Sequence, residues 1–332
     1  MPDVSIMHGH FMPGYAAQGV LTPLDEAVKS LGIKEEDYVP ALWKAGEFEG
    51  VRYCVPLDTF PRFMFYNKRL FREAGLNPDL SETEPLAGEQ LLSMAKKLTK
   101  GDQWGFIVPP GGNGLRRTWL SILWQNGGEV LSGDRRSAAF DSEAGISAIQ
   151  TMADMITKYK VMPAGEISVR DMLNQSKAAM ASDQITELAS HIGIDGLELG
   201  SAPFPLIGKQ KATFAVGHNF VIPKAKKVDQ ERIKNALIFV KWMTENSFEY
   251  AKVGQVPANL NVIKSEEFKT LKHQWVAGMQ CTWFRSPPAV PQLREIFGNA
   301  LNPDLGKVMA GVKTAEQGVK DAADAANKIL QK

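Results

Sequence analysis

The chain predicts an α/β protein of two domains. Short apolar strands alternate with amphipathic helices along it, and 332 residues exceed what one ordinary core accommodates. No apolar run approaches the roughly 18 residues that a membrane span requires. A content of 44% hydrophobic and 23% charged residues is that of a soluble globular chain. In order, Val4-Ser5-Ile6-Met7 reads as a strand running into a loop at Gly9. Val51 to Val55 and Phe63 to Tyr66 read as strands flanking a segment around Asp58, and Trp104 to Val108 as a strand before the loop Pro109 to Gly114. Asp141 is placed to cap a helix with Ile146, Ile149, Ala153 and Ile156 at helical spacing, and Ile233, Ala236, Leu237, Val240 and Met243 repeat that spacing in another. Near the C-terminus Val312, Ala315, Val319, Ala322, Ala326 and Ile329 share one face, with Lys328 opposing the helix dipole.

Several function classes are disfavoured by composition and motif. Lys and Arg (38) against Asp and Glu (37) leave a net charge of +1, without the basic footprint of a nucleic-acid or acidic-membrane binder. Gly111-Gly112-Asn113-Gly114 has neither the phosphate-loop lysine nor the dinucleotide glycine pattern. His8-Gly9-His10 has the residue types of a metal pair, but no neighbouring carboxylate or third histidine completes a ligand set, so both are read as polar loop residues. Ser182, Asp183 and His191 supply the types of a hydrolytic triad without the Gly-x-Ser-x-Gly turn that exposes a nucleophile. Cys54 and Cys281 are too few for a disulfide framework and read as buried thiols. The expectation is a protein without catalytic residues, cofactor or metal.

Aromatic residues with polar neighbours recur at the ends of these elements: Met7 to Phe11, Asp58 to Arg62, Asn113 to Trp119, His218-Asn219-Phe220 and Trp283-Phe284-Arg285. Sugars present apolar C–H faces and rings of hydroxyls, which stacked rings and paired Asp, Asn, Gln, Arg and His side chains recognise. The candidate ligand contacts are Met7, His10, Phe11, Asp58, Thr59, Phe60, Arg62, Asn113, Arg116, Trp119, Asp183, Gln184, His218, Asn219, Trp283 and Arg285.

The run Pro56-Leu57-Asp58-Thr59-Phe60-Pro61 into Tyr66-Asn67-Lys68 and Leu70 to Leu76 resembles the first inter-lobe crossing of the solute-binding proteins of ABC importers, in the large maltose-binding-protein-like family that binds sugars. Further pieces follow in the family's order: Pro2-Asp3-Val4, Gly19 to Asp25, Gly50 to Tyr53, Ala138 to Glu143, Lys177 to Met180, Pro203-Phe204-Pro205, and Phe220 to Lys224 before a helix ending at Trp242. The resemblance implies a two-lobed periplasmic-binding-protein-like (type II) α/β fold, each lobe a sheet flanked by helices, with three hinge crossings. One lobe is expected from residues 1–65 plus 219–283 and the other from 66–218 plus 284–332. The implied function is capture of a carbohydrate by lobe closure and delivery to the permease subunits at the membrane, by a monomer working in the periplasm or tethered at the cell surface.

Four departures qualify the resemblance. Met7 and then His10-Phe11 stand where maltose-type relatives carry tryptophan and then Asp-Arg; Phe60 stands at the histidine of "Pro-Leu-Asp-Thr-His-Pro"; and Asp183-Gln184 occupies a Gly-Pro-Trp type turn. Arg62, Arg116 and Arg285 could together favour an anionic ligand such as a uronate or sugar phosphate. Asp3 arrives almost at once, where the family has a βα unit of roughly 30 residues first. The expectation is a lobe without its first strand and helix, without an export signal, and with an exposed apolar face and sheet edge. The alternatives are a cytoplasmic enzyme or module on a two-lobed α/β fold, or a binder of a non-sugar solute such as a polyamine, metal complex or peptide.

Overall fold

The computed structural model describes residues 2–227 and 229–332. The chain forms two compact units, one combining the stretch up to Phe60 with Ala215–Arg294, the other Pro61–Phe214 with Glu295–Lys332. It passes between them after Phe60, Phe214 and Arg294, whereas the expected boundaries fell after residues 65, 218 and 283. The first shift has a plain cause: Arg62–Asn67 is a strand inside the second unit's sheet, so the chain has changed unit before it begins.

In the first unit, His218–Val221 lies between Ser5–His8 and Cys54–Pro56, antiparallel to both. Phe220 is opposite Ile6 on one side and Val55 on the other. The strand expected over Val51 to Val55 is divided: Val51–Arg52 pairs with Glu47–Phe48, and Cys54–Pro56 joins the sheet. Arg52 dictates the break, because its guanidinium turns inward onto the Trp43 ring at 3.6 Å and donates to the Trp43 carbonyl and to Glu47. Helix Gln230–Glu245, capped by Asp229, buries Ile233, Ala236, Leu237 and Val240 as its spacing predicts. Met243 is only half-buried; Thr244 takes the inner position and its hydroxyl meets that of Tyr38 at 2.8 Å. Ser5–His8 forms an edge of its sheet, and Ile6, Phe239 and Trp242 are exposed.

The second unit's sheet runs Trp104–Ile107, Ala178–Gln184, Arg62–Asn67, Leu199–Ala202, parallel in its first pair and antiparallel in the other two. All six residues of Arg62–Asn67 are buried. Helices Gly88–Leu98, Gly112–Gln125, Glu143–Thr157, Asn302–Met309 and Ala315–Leu330 belong to this unit. Ser142, not Asp141, caps the helix at Glu143, its hydroxyl accepting from the Gly145 amide at 3.3 Å. Gly145, Ala148, Ile149, Met152, Ala153 and Met155 are the buried residues of this helix, while Ile146 and Ile156 are half-buried. The C-terminal helix buries Ala315, Val319, Ala322, Ala326 and Ile329, but Val312 precedes its Thr314 cap and is exposed. Both cysteines are free. Burial pushes the Cys54 thiol up to about 12, whereas Cys281 is only half-buried, contrary to the expectation of two buried thiols.

Two close fits in this unit are testable. A Cβ on Gly105 would collide with the Ala95 carbonyl, since helix Gly88–Leu98 lies directly on that strand. Gly105→Ala is expected to lower unfolding stability by about 3 kcal/mol, read from the urea midpoint. His191, 1% exposed, holds Asn174 through Nδ1 at 2.6 Å with Phe65 against its ring, and burial pulls it down to about 4 from its ordinary 6.5. The unfolded chain therefore binds a proton on this imidazole where the folded chain does not. Stability is complete above pH 6.5 and declines by up to about 3 kcal/mol as pH falls to about 4; a melting series in which His191→Gln keeps the wild-type acid slope would contradict this assignment.

Candidate functional site

The first unit gathers five rings. His8 ends the edge strand, His10 and Phe11 sit on the 3₁₀ turn Gly9–Phe11 that follows, Phe60 ends the Asp58 segment, and His218 begins the central strand. His8 is the centre: its ring centroid lies 4.9 Å from His218, 5.6 Å from His10, 5.7 Å from Phe60 and 5.8 Å from Phe11. His10 and Phe11 are 4.1 Å apart, and the Arg294 guanidinium stands 5.2 Å from the Phe11 ring. The set is amphipathic, with stacking faces and imidazole nitrogens together. His8 was the ring that sequence reasoning set aside; its alternation with His10 was visible, but the third imidazole is 210 residues away and only folding supplies it.

Asp58 holds this set in place instead of reaching a ligand directly. It is wholly buried; Oδ1 accepts the His218 amide at 2.7 Å and Oδ2 accepts Nδ1 of the same residue at 2.8 Å. Nδ1 therefore carries a proton, and the bond to Asp58 raises the His218 pKa above its ordinary value against the opposing effect of burial. The Tyr250 hydroxyl, pushed up to about 12 by burial and then by the Asp58 charge, closes the other side. Thr59 is also internal, bonded to the Val216 carbonyl at 3.1 Å, and Asn219 bonds Gly217 and the Cys54 thiol. Met7 packs on the cluster of Met12, Ala16, Leu21, Cys54 and Val221. These four expected contacts thus serve the interior. A cavity of about 20 Å³ beside His10, Asp58 and Asn219 holds no more than one water. Trp283 and Arg285, on the turn Cys281–Trp283 and the short strand after it, are half-buried.

In the second unit Arg62, fully buried, bonds Asp183 at 3.2 Å, Thr118 at 2.9 Å and the Ser182 carbonyl at 2.6 Å. Burial works against both partners: it lowers the Arg62 pKa and raises that of Asp183. Arg116 bonds Asn113 at 2.8 Å and Asn302 at 2.6 Å, with its guanidinium 4.1 Å from the Phe297 ring centroid. Arg117, absent from the expected contacts although adjacent to Arg116, donates to Gln184. Trp119 is core: 0% exposed, it donates to the Gly145 carbonyl and meets Phe140 edge-on. Ser182, Asp183 and His191 form no relay, because Asp183 is bonded to Arg62 and His191 to Asn174. Among the described residues no group of three or more His, Cys, Asp or Glu is placed to hold a metal ion. A hollow of about 450 Å³ lies elsewhere in this unit among Leu91, Leu92, Phe106, Met155 and Tyr159, and lacks the converging polar groups a sugar needs.

The family model for bacterial extracellular solute-binding proteins matches residues 1–248. The chain belongs to that family. A solute-binding protein of an ABC transporter from Thermotoga lettingae, solved with α-D-tagatose, is 27% identical with a TM-score of 0.80, covering 99% of this chain and 85% of its own. The cyclic α-maltosyl-1,6-maltose binding protein of Arthrobacter globiformis shares the fold at a TM-score of 0.86 and 23% identity, over 100% of this chain and 85% of that one. A binding protein of Brucella abortus (strain 2308) is 22% identical over 352 residues, spanning 99% of this chain and 80% of the relative. The solute-binding fold expected from the sequence is thus the fold observed, and no described helix is long and apolar enough to cross a membrane.

The Asp58–His218 pair in this solute-binding protein has a readable charge state. Its contribution to stability is complete below pH 6.5 and is lost as pH rises through the raised His218 value. In an NMR titration of the imidazole protons, His218 should titrate above 6.5 in the native chain and at or below it in Asp58→Asn; an unchanged midpoint in the variant would show that Asp58 does not hold the proton.

Proposed function

We propose that this family member is the receptor of an ABC importer that captures a carbohydrate and passes it unchanged to the permease. The observation that carries the reading is the set His8, His10, Phe11, Phe60 and His218: rings for the C–H faces of a sugar, and ring nitrogens for its hydroxyls, in one place on one unit. The tagatose complex of the Thermotoga lettingae relative supports a sugar as the class of ligand. The two compact units are the two lobes of the receptor, and His10, Phe11 and His218 are its contacts in the first, with Phe60, 4% exposed, packed behind them. Met7, Asp58, Thr59 and Asn219 support that surface from behind. Nothing in this role calls for a nucleophile, a metal or a cofactor. The receptor works as a monomer outside the cytoplasmic membrane.

The test is a thermal-shift screen across monosaccharides, oligosaccharides, polyols and sugar acids. Binding to the native state alone raises the melting temperature by about 2.7 kcal/mol worth of stability at a hundredfold excess over Kd, and the recovered ligand should be chemically unchanged. Phe11→Ala, at a half-buried ring, should weaken the affinity by about tenfold, the equivalent of about 1.4 kcal/mol of stacking. A well-folded sample that responds to no member of the screen would sink the carbohydrate reading; conversion of a sugar to product would replace it with an enzyme.

A further inference from the structure

The hollow of about 450 Å³ inside the second unit has the size of a small-molecule site, and sugar capture makes no use of it. Two of its walls are helical. Leu91 and Leu92 line it from Gly88–Leu98, while Met155 and Tyr159, four residues apart and so on one face, line it from the end of Glu143–Thr157 and the residues just after. Phe106 and Val161, each 1% exposed and joined by the bond from the Phe106 amide to the Val161 carbonyl at 3.3 Å, form its deep side. Among the described residues only Glu89, Thr151 and Tyr159 bring polar side chains to it, and the Thr151 hydroxyl is taken by the Ser147 carbonyl at 2.8 Å. The interior suits a hydrocarbon.

Positive charge collects at one end. The ammonium groups of Lys96, on the last turn of Gly88–Leu98, and Lys158, the residue after Glu143–Thr157, each stand 5.2 Å from the centre of the Tyr159 ring. Neither lysine belongs to an ion pair among the described residues. The acids of the two helices are remote or engaged: Glu89 and Glu143 sit on the first turns, and Asp154 accepts from Gln150 at 2.6 Å. Glu89, which also lines the hollow, is about 10 Å of helix away from Lys96. The hollow is therefore apolar in its body and cationic at the Tyr159 end.

We propose that this hollow is a second ligand site, which takes a fatty carboxylate of medium chain length. The chain lies over Leu91, Phe106 and Met155, where its methylenes leave water, and the carboxylate meets Lys96, Lys158 and the Tyr159 hydroxyl. The two ammonium groups select the acid over a neutral chain, and a sugar would find no partners for its hydroxyls inside. Every lining residue belongs to the second unit, so the site is independent of sugar capture.

Calorimetry on the full chain tests it, with hexanoate, octanoate, decanoate, decanol and decylammonium, each below its micelle concentration. Affinity should rise about threefold for each CH₂ added between hexanoate and decanoate. Decanoate should bind about fivefold more tightly than decanol, with decylammonium weakest. Lys96→Gln combined with Lys158→Gln, both at exposed positions, should cancel the advantage of decanoate and leave the affinity for decanol unchanged. Thr151→Trp, at a half-buried wall position, should fill the hollow and remove binding of both; the lysine pair serves where that variant does not fold. The proposal is overturned by decanol or decylammonium binding as tightly as decanoate, by an advantage of decanoate that survives loss of both lysines, or by decanoate binding equally to a folded Thr151→Trp chain. Absence of binding by any of the five compounds overturns it too. A concentration-dependent dimer that Thr151→Trp breaks up would assign the hollow to a second copy of the chain, with the same consequence.

Discussion

A carboxylate with no exposed surface organises the first unit. Asp58 takes the main-chain amide and the ring of His218, so two segments 160 residues apart are joined through one side chain. The junction is continued by the amides of Leu57 and Phe60, bonded to His218 and Val216, and by the Thr59 hydroxyl on Val216. It tolerates only glycine at position 217, where a Cβ would strike the Asp58 carbonyl. A buried carboxylate is costly unless it is paired and fully hydrogen-bonded, and here the imidazole that compensates it is also the ring that completes the aromatic set. Placement of Phe60 and His218, and through His218 of His8, follows from that one bond network.

The second unit meets the opposite problem. Its central strand begins with a buried arginine, and Asp183, opposite Phe63 on the neighbouring strand, returns one negative charge to it. Arg116 and Arg117 follow on the adjoining helix, Arg116 bonded to Asn113 and Asn302 and Arg117 to Gln184. One unit thus sets a buried carboxylate against an imidazole, and the other sets a buried guanidinium against a carboxylate.

Much of the scaffold was legible from periodicity. The inner faces of Gln230–Glu245 and Ala315–Leu330 and the strand core Phe63 to Tyr66 stand where the apolar spacing puts them, because burial is a property of many residues at once and survives local error. Boundaries were less legible. Ser142 and Asp141 are both competent caps, and it is the Ser142 hydroxyl that accepts the Gly145 amide. Arg52 looked like one residue within a strand, yet its fit on Trp43 divides that strand in two.

The sequence by itself determined the class of fold and the order of the family's segments, since these depend on patterns within short windows. Only the tertiary structure decided which of the candidate residues face outward. Asp58, Thr59, Met7, Asn219 and Trp119 have the chemistry of sugar contacts but are consumed by neighbours far away in the chain, whereas His8 and Arg117 acquire their significance from residues at 218 and 62. The physical reason is that a polar or aromatic side chain serves the interior or the ligand according to whether its hydrogen bonds and faces are already occupied, and occupancy is a property of three-dimensional neighbours.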